Sequence, residues 1–204
     1  MTSLEPDLKK GDTHLFSFEK NLENRFISEY EELEKVVKEL RDSEKKIVLT
    51  QGVWDLIHEG HAAYLEVAKS FGDILIVGVD SDELTRSRKG PNRPIVPQEE
   101  RTRMLSHLRH VDIVTLREAK EDIGDLIRLV RPDVLITSES TSDFTDSMKK
   151  DYEAYCHKIV TLPPQATTST SARIRNLTIE GAEKLAFEVK RITEEFIEKI
   201  KKGK

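Results

Sequence analysis

The run "ILIVGV" at 74–79 contains no charged side chain and no alternation of polar with apolar residues. Successive side chains of a strand point to opposite faces, so a strand with one wet face alternates in polarity. A strand without alternation needs apolar cover on both sides, the condition of a parallel strand inside an α/β sheet. The run is also far too short to cross a bilayer.

The rest of the chain supplies the covering layers. Tyr30, Leu33, Val36, Val37 and Leu40 recur at helical spacing and predict an amphipathic helix from Ser28 to about Arg41. "KKIVLTQG" at 45–52 reads as a strand ending at Gly52, followed by a helix from about Gly60 to Phe71. Beyond 79, helices are expected at about 97–109, 120–131 and near 145–155, alternating with strands at "VDIVTL", "PDVLIT" and "HKIVTL". This rhythm means right-handed βαβ units and a parallel sheet. The fold expected is a Rossmann-like three-layer α/β/α sandwich of about five parallel strands. Residues 1–44 form an N-terminal arm and helix, 45–178 the sheet domain, and 179–204 a C-terminal amphipathic helix. The stripe Leu185, Phe187, Val189, Ile192 and Phe196 on that helix is too apolar for water, which predicts burial on the domain or across a homodimer.

Composition narrows the function class. A formal net charge of −5 argues against non-specific nucleic-acid binding. The single cysteine, Cys156, excludes an intramolecular disulfide and fits a reducing compartment. It reads as a small buried residue rather than a nucleophile. The N-terminus lacks the charged-then-apolar pattern of a signal peptide. A soluble, cytoplasmic protein with small-molecule substrates, no nucleic acid and no membrane partner is expected.

In sheets of this kind ligands sit beyond the carboxyl ends of the strands. There, after the first strand, lies "GVWDLIHEGH" at 52–61, with His58 and His61 three apart at the start of a helix. A zinc-protease helix would read H-E-x-x-H. Here His58, Glu59, Gly60 and His61 are one residue too short and contain a helix-weakening glycine, so no metal ligands are assigned. A helix N-terminus favours anions through its backbone N–H groups and its dipole, and Gly60 allows a phosphate to approach closely. Two imidazoles at i, i+3 share one face and suit hydrogen bonding to an α-phosphate. "RSRKGPNRP" at 86–94 places Arg86, Arg88, Lys89 and Arg93 after the second strand, at the same end of the sheet. Its Gly90, Pro91 and Pro94 predict a loop rather than a helix, able to fold over a triphosphate. "PQATTSTSARIR" at 164–175 brings a run of hydroxyls to a helix start near Thr170. These suit a β- or γ-phosphate.

Gly52, Asp55, His58, Gly60 and His61 reproduce the signature G-x-F-D-x-x-H-x-G-H, with Trp54 where Phe is usual. The chain resembles the nucleotidyltransferase superfamily that carries it. Over about 45–137, and again at 159–178, it looks like the nucleotidyltransferase part of ADP-heptose synthase. It is also similar to the glycerol-3-phosphate and ethanolamine-phosphate cytidylyltransferases and to archaeal-type FAD synthetases. The resemblance implies transfer of a nucleoside monophosphate from ATP or CTP, with Mg²⁺, onto a phosphorylated sugar or polyol, a heptose-1-phosphate-like acceptor being favoured. An FAD-synthetase-like adenylyltransferase and a catalytically inactive nucleotide-binding or regulatory protein are the alternatives. It further implies that Gly52, Val53, Trp54, Asp55 and Gly60 surround the nucleotide, Val53 and Trp54 through backbone amides. His58 and His61 would stabilise the transferring group. Lys89, with Arg86, Arg88 and Arg93, would contact substrate phosphates, Arg101 of the E-R pair would brace the site, and Thr170 and Ser171 would serve the second phosphate motif. A dinucleotide dehydrogenase is disfavoured by the missing G-x-G-x-x-G, and a tRNA synthetase by the lack of room for a tRNA-reading domain.

Overall fold

The computed structural model describes residues 25–120, 122–139, 146–165 and 170–201. Five parallel strands form one sheet in the order β3-β2-β1-β4-β5. They are β1 (Ile47–Gly52), β2 (Ile74–Asp80), β3 (Ile113–Arg117), β4 (Val134–Ser138) and β5 (Lys158–Leu162). The helices are α1 (Tyr30–Asp42), α2 (Glu59–Lys69), α3 (Asp82–Lys89), α4 (Gln98–Ser106), α5 (Asp125–Val130), α6 (Asp146–Tyr152) and α7 (Thr170–Lys201). The chain order reverses between β1 and β4, which puts the switch point of the sheet at the carboxyl end of β1. The three-layer Rossmann-like sandwich read from the sequence is the fold observed.

All seven residues of β2 are buried, as an unalternating apolar strand requires. Its side chains divide between two cores. Ile74 and Ile76 join Leu33 and Val37 of α1 and Leu126, Ile127 and Val130 of α5 on one face. Leu75, Val77 and Val79 join Tyr64, Leu65 and Ala68 of α2 and Leu105 of α4 on the other. Gly78 is needed on the first face, because a Cβ there would come within 2.6 Å of Leu126 Cδ2. The outer edge of β3 is partly covered by the segment before α1. Phe26 bridges Val114 in parallel, and the Arg25 guanidinium donates to the carbonyls of Ser106 and Val111. Residues 1–24 of the expected arm lie outside the described residues.

The chain divides into two compact units, residues 1–165 and 166–204. In the second, α7 is one unbroken helix of 32 residues, so the helix start expected near Thr170 and the C-terminal helix expected within 179–204 are the same element. Leu185 is 66% and Phe187 67% exposed on it, with Val189 and Ile192 also exposed. No helix among the described residues is long and apolar enough to cross a membrane.

Candidate active site

The turn between β1 and α2 is strained and held on three sides. Trp54 and Leu56 adopt φ of 57° and 45°, left-handed values that bulky residues rarely take. Each costs on the order of 1–3 kcal/mol and persists only where surrounding contacts over-determine it. Val53, Trp54 and Asp55 are all buried, and each is tied to a different element. The Trp54 indole Nε1 donates to the Gly78 carbonyl of β2 at 3.0 Å. The Asp55 carboxylate accepts from the backbone N–H groups of Ile95 and Val96 at 3.0–3.1 Å and lies 3.4 Å from Arg93. The Val53 carbonyl accepts from Arg101.

Arg101 is fully buried, and its guanidinium also reaches the carbonyls of Val96 at 2.9 Å and Asp80 at 2.8 Å and the Asp82 carboxylate at 2.7 Å. One side chain thus joins the end of β1, the end of β2, α3 and the segment leading into α4. A buried guanidinium with its donors engaged is tolerated where an unpaired one is not.

His58 caps α2 in extended conformation, its Nδ1 accepting from the Gly60 N–H at 3.1 Å. That bond places the proton of the neutral ring on Nε2. It also engages the Gly60 amide, while the His61 and Ala62 amides bond to the His58 carbonyl. The amides of Gly60, His61 and Ala62, expected to be open to an anion, therefore already have partners. The two imidazoles share one face as their spacing predicts, stacked with centroids 4.1 Å apart at 29°. Trp54 meets the His61 ring at 5.5 Å and 63°, edge to face. Burial holds the His61 imidazolium pKa down to about 4; His58 and Lys89 push the same way, and Asp55 opposes them. His61 is thus neutral near pH 7, a donor or acceptor without net charge.

The basic segment corrects the expectation of a loop. Arg86, Arg88 and Lys89 belong to the last turn of α3, where cations complement the helix dipole; the loop starts at Gly90, whose φ is 94°. Ser81 Oγ accepts from the Leu84 N–H to begin the helix, with Asp82 and Glu83 in its first turn. The structure also divides the four cations by task. Arg88 pairs with the fully buried carboxylate of Asp80, which is also 2.7 Å from the buried Arg117. Arg93 faces Asp55. Arg86 and Lys89 are exposed, and the charge of Lys89 reaches His61.

Of the second phosphate motif, residues 166–169 lie outside the described residues, as do the side chains of Thr170 and Ser171 at the start of α7. Cys156 is buried, donates its thiol to the Tyr152 carbonyl at 3.1 Å and has its pKa raised by burial, the profile of an inert packing residue. The Asp80–Arg117 pair was not read from the sequence. Its members are 37 residues apart, and only their strand-end positions on adjacent strands relate them. Among the described residues no group of three or more His, Cys, Asp and Glu side chains converges as a metal site, and Asp55 and Asp80 are already engaged.

Residues 49–178 match the model of a family described as cytidylyltransferase-like. Among curated proteins, the chain is 36% identical over 159 residues to a bifunctional protein HldE of Aliarcobacter butzleri, covering 78% of this chain and 33% of that protein. It is 42% identical over 120 residues to the bifunctional protein HldE of Sulfurimonas denitrificans, covering 59% and 25%. The chain therefore spans a quarter to a third of the length of these relatives. A lipopolysaccharide core biosynthesis protein from Thermoplasma volcanium is similar in structure, with a TM-score of 0.51 and 27% identity over 59% of this chain and 98% of that one. A pantoate-beta-alanine ligase from Francisella tularensis shares the fold, with a TM-score of 0.56 and 18% identity over 78% and 77%.

Proposed function

Because this chain belongs to the cytidylyltransferase-like family of nucleotidyltransferases, we propose that it transfers a nucleoside monophosphate from ATP or CTP onto a phosphorylated sugar or polyol. An oxygen of the acceptor phosphate attacks the α-phosphorus, a new P–O bond forms, and the bond to the bridging oxygen breaks to release pyrophosphate. The acceptor is already ionised near neutral pH, so no general base is required. The work left to the protein is positioning and electrostatic stabilisation.

The observation that carries this reading is the stacked His58–His61 pair, on the strained turn at the switch point of the sheet. His58, with its proton on Nε2, and neutral His61 act as donors to the α-phosphate as charge redistributes. Lys89 and Arg86, exposed at the end of α3, serve the phosphates of either substrate. Arg88 and Arg93 act through Asp80 and Asp55 and hold the basic segment in place. Arg101 fixes the nucleotide-side turn, and Thr170 and Ser171 keep the part that the family resemblance implies, service to the distal phosphates. Mg²⁺ enters with the triphosphate. The buried carboxylates near the turn, Asp55 and Asp80, are engaged by amides and arginines, so the ion would be held through the triphosphate and would supply neutralisation of its charge.

The acceptor we favour is a sugar phosphate, heptose-1-phosphate-like, a reading in keeping with the name of the similar lipopolysaccharide core biosynthesis protein of Thermoplasma volcanium. Residues 45–178 carry the transferase, 1–44 and 179–204 flank it, and the whole works in the cytoplasm as a homodimer. The test is a matrix of the four nucleoside triphosphates against phosphorylated sugars and alcohols, read by pyrophosphate release. Turnover is expected with ATP or CTP and a sugar phosphate. No release in any combination would overturn the reading.

A further inference from the structure

A histidine with a chemical task is usually oriented through its second nitrogen by a carboxylate or a backbone carbonyl. His61 has no such bond: its Nδ1 is buried with no hydrogen-bond partner among the described residues. Its ring is held by packing instead, between the stacked His58 ring and the edge-to-face Trp54 indole. His58 caps the same helix start that carries His61, so it gives no anchor outside that turn. Trp54 is tied elsewhere, through Nε1 to the Gly78 carbonyl in the middle of the buried strand β2.

The indole is buried, and its backbone takes a left-handed φ of 57° to bring it there. The indole also meets Tyr64 of α2 at 5.9 Å, and the Tyr64 hydroxyl shares a hydrogen bond with Thr50 of β1 at 2.9 Å, so this neighbour is itself held. Phenylalanine, usual at this place in the signature, fills most of the same space but has no N–H to pin it.

We propose that Trp54 is a positioning residue for His61: the indole, fixed by its bond to the Gly78 carbonyl, sets the plane from which the imidazole meets the transferring phosphoryl group. The proposal rests on the transferase reading above. It predicts that the N–H, rather than the ring area, carries the effect.

The test compares kcat and KM, by pyrophosphate release, for the parent, Trp54→Phe, His61→Ala and the double variant. Circular dichroism and thermal unfolding check the fold, since Trp54→Phe removes the chain's only tryptophan. Trp54→Phe is expected to lower kcat roughly five- to tenfold, the scale of one lost hydrogen bond, with KM nearly unchanged. In the His61→Ala background it should cost nothing further, because the ring it positions is gone. Replacing Trp54 by benzothienylalanine, which keeps the bicyclic shape without the N–H, should reproduce the loss and carries the test should Trp54→Phe fold poorly. Unchanged kcat in these variants, a loss confined to KM, or an equal loss in the His61→Ala background would overturn the proposal. Normal turnover by His61→Ala would instead overturn the reading beneath it, so the two failures are told apart.

Discussion

The acid stability of the protein should depend on His61 in a direction fixed by its burial. The imidazolium pKa is about 4 in the folded protein against 6.5 for a free side chain. The unfolded chain therefore binds the proton more readily between those values, and stability contributed at this residue is complete above about pH 7. It falls as pH drops from 6.5 through 4. The full difference corresponds to about 3 kcal/mol, at 1.36 kcal/mol per pKa unit. At pH 5, with the unfolded histidine almost wholly protonated and the folded one almost wholly neutral, about 2 kcal/mol is lost. Urea unfolding of the parent and of His61→Gln at pH 7 and pH 5 isolates the effect, since the glutamine does not titrate. The parent should lose about 2 kcal/mol more than the variant over that interval. Equal losses in the two proteins, or a larger loss in the variant, would show that burial does not hold His61 neutral.

Three further outcomes follow from the same contacts. Arg101→Ala strands the carbonyls of Val53, Val96 and Asp80 and the Asp82 carboxylate, and should cost about 3–5 kcal/mol in urea unfolding; a loss under about 1 kcal/mol would refute the bracing role. Lys89→Ala should raise KM for a phosphorylated substrate and flatten the salt dependence of binding, and identical constants across a salt series would reduce this lysine to a solvated surface charge. Truncation after Leu177 removes the exposed Leu185, Phe187, Val189 and Ile192 stripe, so sedimentation should show a smaller assembly; an unchanged oligomeric state would remove α7 from any dimer contact.

The sheet was legible because its signal is local. The unbroken apolar run of β2 and the helical stripes of α1 and α2 each report their own cover, and β1 was correctly ended at Gly52. Helix α3 was missed although its charges are arranged as a helix requires, with Ser81 as cap, acids first and bases last. It has too few apolar residues to show a stripe, and the Gly and Pro residues just beyond it are the stronger local signal, one for a loop. The His58–His61 stack was visible as an i, i+3 spacing. The division of the basic segment was not, because it depends on buried carboxylates that only the fold aims at it: Asp80 at the end of β2 takes Arg88, and Asp55 in the turn after β1 takes Arg93. The anchoring of Trp54 on Gly78 was hidden too, being a contact between the turn after β1 and a strand residue 24 positions on.

The central claim is that the His58–His61 face stabilises a phosphoryl group in transfer. Its most direct test is the turnover of His61→Ala with a triphosphate labelled at the α-phosphorus, following label into the nucleotide-linked product. Loss of one preorganised transition-state donor should lower kcat by roughly 10²–10³, with triphosphate affinity by calorimetry changed far less. A variant that transfers label at the parent rate, or one that loses triphosphate binding in proportion to its rate, would contradict the account.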